Sequence, residues 1–132
     1  MIKMKVISEV LGSPQEHVDK TLYLLLNKIK ERKELQVSNE HVFKAEKMED
    51  KPLFTGFLEY ELKIETIDTL VDFCFDFMPS SIEILEPDEL ELKAMSVSDL
   101  FNELLAKLHN NDMLLRSALV ELSLLKKNMN EQ

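Results

Sequence analysis

Residues 54–86 read FTGFLEYELKIETIDTLVDFCFDFMPSSIEILE, and this one stretch carries a strand, a helix and a second strand. Phe54, Gly56, Leu58, Tyr60, Leu62 and Ile64 alternate with Thr55, Phe57, Glu59, Glu61, Lys63 and Glu65. A period of two places the first set on one face and the mostly charged set on the other, as in a half-buried strand. Thr66 stands where a helix N-cap belongs, and Asp68 sets a negative charge in the first turn, near the positive end of the helix dipole. Ile67, Leu70, Val71, Cys74 and Met78 follow at helical spacing. Pro79 then ends the helix, because it lacks an amide hydrogen and its ring clashes with the preceding turn. Alternation resumes over residues 80–86, with Ile82 and Ile84 on one side. A helix that returns the chain to the same sheet needs further strands to complete it.

The preceding residues supply them. Residues 3–11 alternate Met4, Val6, Ser8 and Val10 against Lys5, Ile7, Glu9 and Leu11, which predicts a strand ending at Gly12. Ser13, Pro14 and Glu16 together predict a helix start, with Ser13 as N-cap, Pro14 at the first helical position and Glu16 closing a capping box. Val18, Leu22, Leu25, Leu26 and Ile29 then form one apolar stripe, giving a helix over 13–31. The pattern weakens from Lys30 to Pro52. Residues 35–37 and 41–47 can each extend, and the preferred assignment is an edge strand over His41–Lys47, before a turn at 49–52.

The resulting order is strand, helix, strand, strand, helix, strand, the split βαβ arrangement with both helices on one face of an antiparallel sheet. It resembles the ferredoxin-like fold over residues 3–86, the fold that also underlies ligand-sensing domains of the ACT type. The resemblance implies that the first and third strands are central and that the fourth flanks the first. It implies no chemistry, because the fold hosts unrelated functions. Residues 72–94, DFCFDFMPSSIEILEPDELELKA, also resemble a segment of short, uncharacterised archaeal proteins. No activity and no functional residue follow from that likeness.

Residues 87–95 form an acidic connector carrying Asp88, Glu89 and Glu91. Ser96 is the expected cap of a terminal helix over 96–132. Along it Val97, Phe101, Leu104, Leu108, Asn111, Leu115, Ala118, Leu122, Leu125 and Met129 recur at alternating spacings of four and three. That is a coiled-coil-like heptad seam sustained for over four heptads. His109-Asn110-Asn111-Asp112 are poor helix formers, and a turn there would fold the segment into a hairpin. The phase does not slip across them, which favours one continuous helix. Seam residues Phe101, Leu104, Leu108, Asn111, Leu115, Leu122 and Leu125 are therefore the expected contact between copies of the chain.

Composition bounds the remaining functions. The chain has 132 residues, 45% apolar and 31% charged, a net charge of −9, two glycines and one cysteine. Those figures fit one compact domain with an appended element. A negative chain is poorly suited to phosphate contacts, which depend on clustered Lys and Arg, so neither nucleic acid nor a membrane is an expected partner. A lone cysteine forms no internal disulfide, and no apolar run approaches the ~18 residues of a membrane span. The expectation is a soluble, cytoplasmic protein.

No catalytic, cofactor-binding or metal-binding residue is assigned. Cys74 lies mid-stripe in the second helix, which points to a packed core thiol. His17, His41 and His109 lack partners at chelating spacing, and no nucleophile-elbow, zincin, P-loop or EF-hand pattern occurs. Asp72 and Asp76 point away from Cys74 and are assigned to a solvated face. Two features exceed what a bland surface needs. Adding Phe73, Phe75 and Phe77 widens the apolar arc of the second helix to roughly 200°, more than a single sheet covers. The helix-free sheet face is expected to gather Ile7, Leu11, Phe57 and Leu85, a possible protein-partner surface hemmed by Glu9, Glu59, Glu61 and Glu83 that would repel RNA. The expected function is a non-enzymatic, homo-oligomeric adaptor or regulatory module. An ACT-like small-molecule sensor is the alternative, and an enzyme without a recognisable motif a lesser one.

Overall fold

The structure, a computed structural model, describes residues 1–131. In chain order the elements are β1 (Ile2–Gly12), α1 (Gln15–Glu31), β2 (Gln36–Val42), β3 (Glu46–Lys47), β4 (Phe54–Ile64), α2 (Ile67–Phe77), β5 (Ser81–Glu86) and α3 (Ala94–Asn130). They fall into two units, Met1–Leu90 and Glu91–Gln132. The first is an α+β unit and the second is dominated by one long helix.

The sheet of the first unit runs β2-β4-β1-β5, with β3 pairing the start of β4, and all neighbours are antiparallel. Its centre is β1 against β4, in unbroken register from Ile2 opposite Ile64 to Gly12 opposite Phe54. Met4 faces Leu62, Val6 faces Tyr60 and Ser8 faces Leu58. The even-numbered side chains of both strands therefore share one face. Val18, Leu22, Leu26 and Ile29 of α1 and Leu70 and Phe73 of α2 are buried against this face. One continuous core joins strands and helices, so both helices lie on the same side.

Gly56 lies where α1 crosses β4. A Cβ there would stand 2.6 Å from Leu22 Cδ1 and 3.1 Å from Val18 Cγ1, so the missing side chain is what lets the helix approach. Nearby, Tyr60 and Ser8 are both buried and share a hydrogen bond of 3.1 Å between their hydroxyls. This pair is the polar element inside an otherwise apolar core.

Several local expectations are corrected. The capping box at Ser13 does not form. Pro14 is itself the extended N-cap residue, and its carbonyl accepts from the amides of His17 and Val18. The start of α1 is tied instead to Ala45: Gln15 Nε2 donates to the Ala45 carbonyl at 2.8 Å, and Asp19 Oδ1 accepts from the Ala45 amide at 2.7 Å. The same two bonds explain why the strand expected over His41–Lys47 is displaced to 36–42. Ala45 is buried and its backbone is bonded to α1, which interrupts sheet pairing and leaves only the two residues of β3 beyond it. Leu35, buried just before β2, anchors the other end. A register irregularity between Ser38 and His41, with Asn39 at φ 50°, lets β2 bend along the sheet edge.

Helix α2 begins as expected, with Thr66 Oγ1 accepting from the Thr69 amide. It ends at Met78 in the left-handed conformation, its amide donating to the Cys74 carbonyl. Its buried face differs from the expected stripe: Leu70 and Phe73 are buried, whereas Met78 is turned out by the left-handed cap. Phe77 packs at a tilt of 37° on Phe73, with centroids 5.6 Å apart, and the Arg32 guanidinium covers it at 5.7 Å. Arg32 also pairs with Asp76 at 3.1 Å, so that carboxylate is not merely solvated. Val10 is half-buried, and Ile84 is exposed because it lies on the edge strand.

Helix α3 is unbroken for 37 residues, about 55 Å at 1.5 Å per residue, and passes through residues 109–112 without interruption. Asp112 supports that segment through an ion pair with Arg116 one turn on, at 2.9 Å. The helix starts after Lys93, so Ser96 lies inside the first turn rather than capping it.

The Tyr60–Ser8 pair has a measurable signature. Ser8→Ala strands the Tyr60 hydroxyl in the core and is expected to cost about 1–3 kcal/mol in urea unfolding, with Tyr60→Phe/Ser8→Ala less destabilised than the sum of the single changes. Burial pushes the Tyr60 hydroxyl from the usual 10 up to about 12, the hydrogen bond shared with Ser8 opposing the shift. The folded chain thus holds the proton more tightly than the unfolded chain. The stabilisation is complete below pH 10 and is lost as pH rises through about 12, a decline expected to be absent from Tyr60→Phe.

Candidate functional site

Odd-numbered side chains of β1 and β4 emerge on the helix-free face. Here Ile7 and Phe57 lie on neighbouring strands, since Ile7 is opposite Glu59 and Phe57 opposite Glu9. Phe43, just past β2, joins them, its amide donating a hydrogen bond to the Phe57 carbonyl at 2.9 Å. Ile7, Phe43, Phe57 and Glu59 line an open depression of about 230 Å³. His41 packs against Phe43 with the rings inclined by 50° and their centroids 4.3 Å apart, and extends the apolar area.

Only part of the expected surface gathers. Ile7 and Phe57 meet, but Leu11 is four residues further along β1, roughly 13 Å at 3.3 Å per residue. Leu85 is remote in the opposite direction. It falls in the register irregularity of β5, between the partners of Met4 and Lys3. Phe43 and His41 were hidden in the sequence because an edge strand over 41–47 carries no usable phase. With the strand at 36–42, their spacing of two places both on one side of the chain.

The charges around the depression are paired rather than free to hold an anion. Lys5 Nζ meets Glu59 Oε1 at 2.6 Å, and Lys3 meets Glu61 at 3.7 Å. The hydrogen bond to Glu59, then its charge, raise the Lys5 ammonium above its ordinary value. Asn39 donates to Glu61 at 2.7 Å and Thr55 to Glu9 at 2.9 Å. An apolar centre framed by paired charges suits a protein surface better than a phosphate backbone.

A second apolar region is the edge strand. Ile82 and Ile84 pair with Val6 and Met4 and so point to the helix-bearing side, yet they are 39% and 37% exposed. The third is α3. Every expected contact residue along it is exposed, from Phe101 through Leu104, Leu108 and Asn111 to Leu115, Leu122 and Leu125, the last at 61%.

Cys74 is half-buried at the margin of the core rather than at its centre, because Phe73 takes the deepest position of α2. Burial pushes its thiol pKa up, which disfavours the reactive thiolate. Among the described residues no group of three or more His, Cys, Asp and Glu side chains is placed to hold a metal ion. Among the same residues no helix is long and apolar enough to cross a membrane.

Among known families the chain matches the MJ0538 family, over residues 3–129. The chain belongs to that family. The matched span takes in the sheet from its second residue and the helix as far as its last seam residue. It also covers the segment 72–94 whose likeness to uncharacterised proteins the sequence suggested. No curated protein and no solved structure matches the chain.

The Cys74 environment predicts slow labelling by a thiol reagent in native buffer and fast labelling in denaturant. Cys74→Ala is expected to shift stability by no more than about 1 kcal/mol, since it replaces one small half-buried group by another. Labelling at equal rates in both conditions would show the thiol to be open.

Proposed function

We propose that the protein is a non-enzymatic binding module that associates with itself along α3 and offers the helix-free sheet face to another protein. The observation that carries this reading is the seam. Leu115, Leu122 and Leu125 are 58%, 48% and 61% exposed on a helix that runs without a break, and they repeat in a single heptad phase. Water is a poor solvent for a stripe of that length, and monomeric proteins seldom leave so much contiguous apolar surface uncovered. A second copy covers it with the matching stripe, and two-fold closure makes a dimer the simplest assembly.

The sheet unit reads as ferredoxin-like, which supports the binding role without specifying a ligand. Its central strands are β1 and β4, β5 flanks β1, and β2 flanks β4, with β3 as an extra pairing at the edge. The same topology underlies ACT-type sensors, and the depression at Ile7, Phe43 and Phe57 is the observation that favours that second reading. At about 230 Å³ it is smaller than the ~300–1,000 Å³ of ordinary ligand pockets, and it is open along its length, so a protein side chain fits it better than an enclosed metabolite. A metabolite that bound only the native state would raise the melting temperature in a ligand panel.

Light scattering on the full chain is expected to give twice the monomer mass at low micromolar concentration. Leu115→Glu/Leu122→Glu is expected to shift the mass to that of one chain while leaving the near-ultraviolet spectrum and the alkaline transition of the sheet unit unchanged. A wild-type chain that sediments and scatters as a monomer throughout would reject self-association.

A further inference from the structure

Self-association along α3 leaves open which way the second copy runs. The seam determines which residues flank it. On one side lie Leu100, Lys107, Leu114 and Glu121, each one residue before a seam position; on the other lie Leu105, Asp112, Leu119 and Lys126, each one residue after. In heptad terms these are the g and e positions, which meet across a coiled coil and set partner orientation. We infer that two copies of α3 pair in parallel and in register.

In the parallel arrangement a g residue faces the e residue five further on in the other chain. Leu100 then meets Leu105 of the second copy, and Leu114 meets its Leu119. Lys107 meets the second copy's Asp112, and Glu121 meets its Lys126. Every contact is either apolar with apolar or opposite in charge, and the two-fold repeats each of them. Asp112 already accepts from Arg116 of its own helix at 2.9 Å, but a carboxylate has room for a further donor. At the seam itself Asn111 meets Asn111, so the two amides satisfy each other instead of each facing a leucine. A lone polar seam residue commonly specifies register in this way.

The antiparallel alternative fits less well. With the seams matched so that Asn111 lies opposite Leu115, Lys107 does meet Glu121, but Asp112 meets Asp112 and each Asn111 amide faces an apolar side chain. Sliding one heptad either way sets Glu121 opposite a leucine. Only the parallel register leaves neither like charges opposed nor a charge facing a leucine.

This inference rests on the proposed self-association, and the experiment separates the two. Full-length chain carrying Cys74→Ala and Met129→Cys is oxidised at low concentration and run without reductant, with light scattering on the reduced sample. Parallel pairing brings the two thiols together near the end of the seam, and covalent dimers are expected to form at least tenfold faster than in the same chain carrying Leu115→Glu/Leu122→Glu. Antiparallel pairing sets each thiol opposite position 97 of the other chain, about 48 Å from its copy across 32 residues. Mixing Val97→Cys and Met129→Cys chains, both with Cys74→Ala, then gives the mixed disulfide instead. Charge reversal supplies the second readout: Glu121→Lys is expected to weaken association severalfold, and adding Lys126→Glu to restore it. In the antiparallel register Lys126 faces Ser98, so the second change restores nothing. An oligomer that links only as the 97–129 mixture overturns the parallel orientation and leaves self-association standing. A monomer overturns both. A parallel assembly of more than two chains keeps the orientation and rejects the dimer.

Discussion

The pairing of β1 with β4 is the constraint on which the sheet unit depends. Eleven consecutive positions stay in register, so every even-numbered side chain of both strands is delivered to one face and every odd-numbered one to the other. A slip of one residue would exchange the two faces and place Lys3, Lys5, Glu59 and Glu61 under the helices. Core packing and ladder hydrogen bonds therefore reinforce the same register. Gly56 allows α1 to close down on this pair, and the Tyr60–Ser8 hydrogen bond makes one alignment of the strands distinguishable from its neighbours.

The helices are held at their ends by contacts that are small one by one. Gln15 and Asp19 grip the backbone of Ala45, which fastens the start of α1 to the β2–β3 connection. At its far end Arg32 lies over Phe77 and pairs with Asp76, linking the end of α1 to the last turn of α2. An exposed ion pair contributes little on its own. Here the guanidinium also covers an aromatic ring, so its packing matters as much as its charge. The wide apolar arc of α2 is thus met partly by the deep placement of Phe73 and partly by an arginine stem, not by the sheet alone.

Apolar surface that the sheet unit does not bury falls in places of different character. The Ile7, Phe43 and Phe57 depression is small, concave and ringed by paired charges. The β5 edge exposes Ile82 and Ile84 beside unpaired backbone groups, an arrangement suited to strand addition. Glu83 and Glu86 in the same strand place charge on that edge and oppose its uncontrolled pairing with a copy of itself. Helix α3 differs from both, because its apolar residues are periodic and its flanking charges are complementary in sign. Periodicity is what converts a sticky surface into one with a defined partner and register.

The strands β1 and β4, the stripe of α1, the Thr66 cap and the continuous α3 were legible from sequence because each rests on an intrinsic period or on a side chain bonding to its own neighbours. Alternation over eleven residues, or a heptad phase unshifted across His109–Asp112, needs no distant contact to be read. What the tertiary structure decided is where weakly patterned residues fall. Local signals placed the strand over 41–47, the cap at Ser13 and the buried stripe of α2 through Met78. Hydrogen bonds from α1 to Ala45, thirty and twenty-six positions away, moved the first, and the start of α1 shifted with them. Competition for depth against the sheet put Phe73 rather than Cys74 innermost. The apolar patch on the helix-free face followed: Phe43 reached Phe57 only once β2 had been placed by contacts remote in sequence, and no period within residues 30–52 encodes those contacts.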